Sequence, residues 1–305
     1  MADKDSAGDS DSTPIRIFLW GIPRSLSTVF EKCLSHMPNI QIISEPYTYA
    51  YYFGPESKVW QASEAKNTKA AMEMGETVGM ESKPGWFHES ICTYKWAKET
   101  LEAAYPGKSV IFTKEIAHAI TGHRDMLATG FRHTFLIRHP HKVFPSWTNM
   151  TKDFLQMDEK TFQLQDMTEP HCPPKYGYGE LYDLMQYVQT NHGESCPINI
   201  DADDLQSSPA SILRQYCDAL GIPFNDCLLQ WPAGIDILDQ WIVNSTLVAV
   251  NKTSSGGFYE AAFNSTHFLP PSKVPSRQDV AEDLLPLIDD SMPYYEKLYQ
   301  MRIRP

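Results

Sequence analysis

The sequence predicts an α/β fold, a three-layer arrangement in which helices cover both faces of a central parallel sheet. Short apolar runs recur along the chain, each bounded by proline, glycine or a charged residue, as is typical of buried strands. Stretches with helical spacing alternate with these runs, and this alternation is typical of parallel sheets. The 305 residues, 42% of them hydrophobic, are enough for one large domain with its own core.

The apolar runs are expected to form the strands. The carboxyl ends of parallel strands share one edge of a sheet, and ligands of such folds bind at that edge. A site is therefore expected where polar and charged residues follow the strands. The expected strands are 15–20, 40–44, 109–113, 132–137 and 197–200, followed by Gly21, Glu45, Lys114, Arg138 and Asp201.

Helices are expected where apolar residues recur at intervals of three and four between the strands. The aromatic run 47–53 is interpreted as a helix packed in the core, with the wall of a ligand pocket as the alternative. The stretch 201–205 is interpreted as a cap for a following helix. The expected helices are 25–37, 47–53, 90–104, 143–150, 178–190, 209–220 and 279–299.

The chain is expected to consist of one domain, 15–305, preceded by a tail. Residues 1–14 are rich in serine and aspartate with no apolar run, which predicts disorder and excludes a secretory signal. Residues 54–90 are rich in Gly, Lys, Glu and Met and show weak periodicity. We interpret 54–90 as a lid or an insertion over a site.

Charge and composition exclude several classes of partner. A formal net charge of −12 argues against nucleic acid, because its phosphates would be repelled. No stretch approaches the roughly 20 apolar residues of a membrane span. The six cysteines form no CxxC pair, so a zinc site is not expected and the thiols are interpreted as reduced. The chain is therefore expected in the cytoplasm, and a homodimer stays open.

The segment after the first expected strand has the features of an anion site. It runs from strand to loop to helix, so that backbone N–H groups and the positive helix end converge on one point. Arg24 adds a guanidinium that can contact phosphate or sulfate oxygens in pairs. The alternative is a simple helix cap with a solvated arginine. The segment reads Gly21-Ile22-Pro23-Arg24-Ser25-Leu26-Ser27-Thr28.

The same segment departs from the P-loop of nucleotide kinases. The pattern G-x-x-x-x-G-K-[ST] is absent, because Leu26 occupies the position of the second glycine and no Lys-Ser/Thr pair follows it. A kinase of that class uses the lysine and the hydroxyl to hold phosphates and Mg²⁺.

A second pattern follows the fourth expected strand. Arg138 ends the strand, and Ser146 lies eight residues later in the next expected helix. A helix that returns from a strand end can bring its second turn beside the strand tip, so both side chains can hold one phosphate. The alternative is an unrelated arginine and serine at the surface.

Together the two segments resemble the sulfotransferases that use 3′-phosphoadenosine 5′-phosphosulfate (PAPS), which have a P-loop NTPase-like fold. The similarity covers about residues 15–225 and is greatest to members with a PRS-x-ST loop. It implies that Pro23, Arg24, Ser25, Leu26, Ser27 and Thr28 bind the 5′-phosphosulfate. It also implies that Arg138 and Ser146 bind the 3′-phosphate. The commoner family loop has lysine in place of Arg24 and glycine in place of Leu26.

The resemblance also implies the catalytic groups. Arg24 and Lys114 are the expected cations that stabilise the leaving phosphate. The expected base that takes the acceptor proton is Glu45, with His118 as the alternative and Glu115 as a third candidate. A glycine-rich loop with Ser255, Gly256 and Gly257 is expected either to cover the 3′-phosphate or to be a flexible turn.

The function implied is transfer of the sulfuryl group from PAPS to a hydroxyl or amine of a small acceptor, with release of the bisphosphate PAP. The acceptor is expected to be apolar or aromatic with a hydroxyl, and no metal is expected. Two alternatives stay open. One is a P-loop kinase or nucleotide hydrolase, and the other is a non-catalytic PAP-binding protein on the same fold.

Overall fold

A computed structural model describes residues 13–58, 91–155, 164, 172–243 and 259–305. These residues form a six-stranded sheet in the order β5-β4-β1-β3-β2-β6, with helices packed on both faces. Every strand pair is parallel. The predicted three-layer α/β/α fold with a central parallel sheet is therefore confirmed.

Five of the six strands coincide with the predicted apolar runs, with small differences at their ends. The third strand extends three residues further than predicted, so Lys114 lies within the strand rather than after it. The sixth strand was not predicted, because two residues are too few to show a pattern. The strands are β1 Ile15–Gly21, β2 Ile40–Ser44, β3 Val110–Ile116, β4 Phe131–Ile137, β5 Ile198–Asp201 and β6 Trp241–Ile242.

The helices follow the predicted order. The first begins two residues late and ends early, because Leu26 adopts a left-handed conformation and the chain turns at Ser35. The helix after β4 is longer than predicted and contains Pro145. The helices are α1 Ser27–Leu34, α2 Pro46–Phe53, α3 Tyr94–Glu102, α4 Pro140–Leu155, α5 Tyr178–Asn191, α6 Ala202–Ser207, α7 Pro209–Leu220, α8 Glu260–Asn264 and α9 Leu285–Gln300.

The core has two halves, one on each face of the sheet. Successive residues of a strand point to opposite faces, so Phe18 and Trp20 pack in one half and Ile17 and Leu19 in the other. All four are fully buried. The central strand is thus apolar on both faces, as the unbroken run in the sequence predicts.

The order of the strands determines where the site can lie. β1 is flanked by β3 on one side and β4 on the other. The chain first runs outward from β1 to β2, returns to β3 and then crosses to β4. The carboxyl ends of β1, β3 and β4 therefore lie where the direction of the connections reverses, which is where open α/β sheets bind ligands.

Some predictions fall on residues outside the described part. Residues 1–12 of the expected tail and 59–90 of the expected lid are among them. All six cysteines lie within the described part and are free thiols. In the described ranges, no helix combines the length and the apolar character needed to cross a membrane.

Candidate functional site

The loop between β1 and α1 has an unusual backbone. Arg24 and Leu26 have φ angles of 66° and 77°, in the left-handed region that favours glycine. Each such residue costs roughly 1–2 kcal/mol, so the surrounding structure must impose the shape. Strain of this kind clusters at ligand-binding loops. The glycine that the commoner family loop carries at position 26 would adopt the same shape without strain.

Gly21 lets this loop fold tightly over the end of β1. A Cβ atom at position 21 would lie 2.9 Å from the Oγ atom of Ser25, closer than real contacts allow. Ser25 is fully buried, and its hydroxyl has no hydrogen-bond partner among the described residues. Buried polar atoms without partners are rare and call for an explanation such as a bound ligand.

The loop and the second motif are joined by two hydrogen bonds. Arg24 donates from Nε to the Oγ of Ser146 over 3.0 Å. Arg138 donates from Nη1 to the backbone oxygen of Arg24, also over 3.0 Å. The two segments, more than a hundred residues apart in sequence, therefore form one continuous surface.

This surface concentrates positive charge. Burial lowers the pKa of Arg24, Tyr259 partly raises it again, and the neighbouring Arg138 lowers it further. Burial also lowers the pKa of Arg138, although Asp203 and Asp201 oppose that shift. The Nε atom of Arg138 is buried and has no partner among the described residues. Two partly desolvated guanidinium groups side by side favour an anion between them.

The acidic residue Asp201, near Arg138, has structural partners for both carboxylate oxygens. The Oδ1 atom of Asp201 accepts from the backbone N–H groups of Asp203 and Asp204 at 2.9 and 3.3 Å, which caps α6. Its Oδ2 atom accepts from the hydroxyl of Tyr295 at 3.1 Å. Asp201 therefore stabilises the start of a helix behind the arginines.

A buried ion pair lies at the ends of β2 and β3. The Nζ atom of Lys114 donates to Oε1 of Glu45, and the two residues are only 2% and 4% exposed. Burial acts to lower the pKa of Lys114, but Glu45, Tyr259 and Glu31 outweigh it and hold the pKa above its ordinary value. Lys114 is thus a charged group at neutral pH. Glu45 itself has a left-handed φ of 55° at the start of α2.

Two residues that the sequence did not single out flank this pair. Tyr259 donates its hydroxyl to Oε2 of Glu45 over 3.2 Å, and Lys114 Nζ lies 5.5 Å from the centre of its ring. Glu31 of α1 is fully buried and accepts from Ser44 Oγ at 3.1 Å. Burial raises the pKa of Glu31 to about 8, a shift that Lys114 opposes and Glu45 reinforces.

Tyr259 lies beside the ion pair, and it raises the pKa of Arg24 as well as that of Lys114. The expected cations and Glu45 therefore lie in one region at the carboxyl edge of the sheet. A charged residue beside the apolar positions of α1 could have indicated Glu31. No periodic pattern indicated Tyr259.

The two other candidate bases have different surroundings. Glu115 accepts from the backbone N–H groups of Tyr47 and Thr48 at 2.6 and 3.1 Å, so it caps α2. His118 is buried, and its Nε2 atom lies 3.0 Å from the hydroxyl of Tyr52. Burial lowers the pKa of His118 to about 3.

The remaining predicted site residues are distributed as follows. Pro23 lies in the strained loop, and Ser27 and Thr28 are the first residues of α1. Ser255, Gly256 and Gly257 lie outside the described residues.

A family model described as a sulfotransferase domain matches residues 190–302 of the chain. The matched stretch runs from the end of α5 through β5 to α9. It contains Tyr259, while the loop after β1 and Arg138 lie before it.

Two proteins of Arabidopsis thaliana are similar to larger parts of the chain. Branched-chain-amino-acid aminotransferase-like protein 2 is 26% identical over 279 residues, which are 89% of this chain and 40% of that protein. Branched-chain-amino-acid aminotransferase-like protein 1 is 28% identical over 169 residues, which are 53% of this chain and 24% of that protein. The chain thus spans less than half the length of these relatives.

Solved sulfotransferase domains align with most of the chain at low identity. The domain from the curacin biosynthetic pathway aligns with a TM-score of 0.47 and 16% identity, over 96% of this chain and 99% of that one. The domain from the Synechococcus PCC 7002 olefin synthase gives a TM-score of 0.45 and 15% identity, over 92% and 95%. At these values neither structure assigns a role to a residue of the site. The match over residues 190–302 confirms the resemblance to the sulfotransferase family that the two sequence motifs predict.

Proposed function

We propose that this protein is a sulfotransferase that uses PAPS as donor and a small molecule with a hydroxyl or amine as acceptor. The observation that carries the proposal is the meeting of Arg24, Ser25, Arg138 and Ser146 at one edge of the sheet. Two donor atoms there, Ser25 Oγ and Arg138 Nε, are buried without partners among the described residues.

The chemistry of these groups fits an anionic donor. A buried donor without a partner costs roughly 1–3 kcal/mol, and a ligand that supplies an acceptor oxygen removes that cost. Guanidinium groups bind phosphate and sulfate oxygens in pairs, with planar geometry. By the family resemblance, the loop with Arg24 and Ser25 holds the phosphosulfate, and Arg138 with Ser146 holds the 3′-phosphate.

The ion pair supplies what the transfer needs. The acceptor oxygen loses its proton to the Glu45 carboxylate and forms a bond to sulfur. The bond between sulfur and the bridging phosphate oxygen breaks, and PAP leaves with that electron pair. Lys114 and Arg24 stabilise the negative charge that develops on the leaving phosphate. No proton or electron is left unaccounted for.

Glu45 is the preferred base because of its surroundings. It is in direct contact with Lys114, one of the two expected cations. His118 instead pairs with Tyr52, and with a pKa near 3 its imidazole would hold a transferred proton weakly. We therefore assign the proton transfer to Glu45.

Calorimetry with PAP and a transfer assay with labelled PAPS test the proposal together. The protein is titrated with PAP, with adenosine 5′-phosphate as the matched ligand that lacks the second phosphate. It is then incubated with PAPS carrying a labelled sulfuryl group and a small-metabolite extract, and labelled products are identified by mass spectrometry. Preference for PAP together with a labelled product supports the proposal.

The same measurements separate the alternatives. Binding of PAP without transfer to any acceptor would indicate a non-catalytic binding protein. Magnesium-dependent turnover of ATP, with no preference for PAP, would indicate a kinase or nucleotide hydrolase.

A further inference from the structure

Tyr259 occupies a fixed place beside Glu45. It directly precedes α8, and its ring packs edge-on against Phe263 with 6.2 Å between ring centres. The far end of α8 is held by Lys32 of α1, which donates from Nζ to the backbone oxygens of Phe263 and Ser265 at 2.5 and 2.9 Å. Lys32 is fully buried. The short helix that Tyr259 precedes is thus bound to α1, the helix that follows the strained loop.

Both carboxylate oxygens of Glu45 are engaged, each by a different partner. Oε1 accepts from Lys114, and Oε2 accepts from the hydroxyl of Tyr259 at 3.2 Å. A general base must have one oxygen available for the incoming proton. Lys114 is also an expected partner of the leaving phosphate, so Oε1 is the oxygen that becomes available when the lysine turns to the donor.

We propose that Tyr259 is a positioning residue for the base: its hydroxyl holds Oε2 of Glu45, fixes the rotation of the carboxylate and leaves Oε1 to receive the acceptor proton. This inference rests on the proposed function of Glu45. It assigns to Tyr259 a role that neither sequence motif contains. A hydrogen bond from a neutral donor also stabilises the carboxylate over the protonated acid.

The phenol is suited to this role because it stays protonated. Burial and the neighbouring Glu45 raise the pKa of Tyr259 above its ordinary value. The ring itself faces the Lys114 ammonium at 5.5 Å, within the range of a cation–π contact. Within the described ranges, Glu45 influences the pKa of Lys114 and Glu115 of β3, Glu31 of α1, Tyr49 and Tyr52 of α2, and Tyr259.

The test is the variant Tyr259→Phe, which removes the hydroxyl and keeps the ring. The matched control is Tyr216→Phe, because Tyr216 is buried in the same half of the core but its hydroxyl contacts Thr134, at the same distance of 3.2 Å, instead of Glu45. Loss of a hydrogen bond to a charged group is worth roughly 1.5 kcal/mol, or about one pH unit. In Tyr259→Phe the acid limb of the kcat/KM profile is therefore expected to move up by about one unit. We also expect kcat to fall about tenfold, and the affinity for PAP to change less than twofold.

A second readout does not depend on turnover. With glutamate labelled with ¹³C at the carboxyl carbon, the Glu45 signal is identified by its absence in Glu45→Gln, and its pH titration is followed. Its midpoint is expected to move upward in Tyr259→Phe and to stay in place in Tyr216→Phe. An unchanged midpoint in a folded Tyr259→Phe protein overturns the inference, even if the protein transfers sulfuryl groups. If the midpoint moves but no acceptor is ever sulfated, the positioning contact stands and the proposed function fails.

Discussion

Replacement of Arg138 by alanine tests the donor site most directly. The Nε atom of Arg138 is buried without a partner among the described residues, and Nη1 reaches the backbone of Arg24. A bound phosphate would accept from the unpartnered side of this guanidinium. Each charge-assisted hydrogen bond contributes about 1.5–3 kcal/mol, but removal of the arginine also relieves its repulsion of Arg24. The expected net loss is about 2–4 kcal/mol, which is roughly a 30- to 1,000-fold weaker PAP affinity.

Isothermal titration calorimetry with PAP measures this loss. Arg132→Ala is the matched control, because Arg132 lies on the same strand but is exposed near its other end, where it donates to the backbone oxygen of Ala219 at 3.5 Å. The control is expected to bind PAP within twofold of the unaltered protein. A folded Arg138→Ala protein with unaltered PAP affinity would refute the assignment of Arg138 to a phosphate.

Three further predictions follow from the buried groups. Glu45→Gln is expected to lower the rate of sulfuryl transfer by at least about 10²-fold, while its PAP affinity changes little. His118→Asn is expected to retain most of the transfer activity. The opposite pattern in steady-state kinetics would assign the base to His118. Burial lowers the pKa of His118 and of His133 to about 3, below the unfolded value near 6.5, so their contribution to stability is complete above pH 6.5 and is lost as the pH falls. The free energy of unfolding measured with urea should therefore fall by about 2 kcal/mol per histidine between pH 6.5 and 5. A free energy of unfolding that does not change over this range would contradict the prediction. Burial raises the pKa of Glu31 to about 8. The contribution of Glu31 to the free energy of unfolding is therefore complete below about pH 4.5 and declines as the pH rises. Glu31→Gln is therefore expected to unfold at higher urea than the unaltered protein, by a margin that grows from pH 5 to pH 7.5; a constant margin would contradict the shift.

Local patterns in the sequence were enough to predict the sheet and to propose candidate residues for a site at its edge. Most residues of the five longer strands are buried, so each of these strands contains a short apolar run. The polar or charged residue after the run marks the edge where ligands bind. The same patterns predict Glu45, Lys114 and Arg138 as candidate site residues. It placed the end of β3 too early, because Lys114 and Glu115 are polar residues that continue the strand.

The residues that sequence reasoning missed depend on contacts between distant parts of the chain. The hydrogen bond from Tyr259 to Glu45 joins residues 214 positions apart. The position of Tyr259 is set by α8, a helix of five residues that is too short to show periodicity. Glu31 is buried because Ser44 and Lys114 lie beneath α1, which only the packing of the helix on the sheet determines.

The left-handed backbone at Arg24 and Leu26 has a consequence for directed evolution of this protein. Asparagine tolerates that conformation better than either residue, so at position 24 it would relieve backbone strain and also the repulsion from Arg138. Selection for heat resistance alone would therefore favour loss of this arginine. Libraries screened only by melting temperature would therefore lose the arginine that we propose to hold the donor, and a screen for activity has to accompany every round.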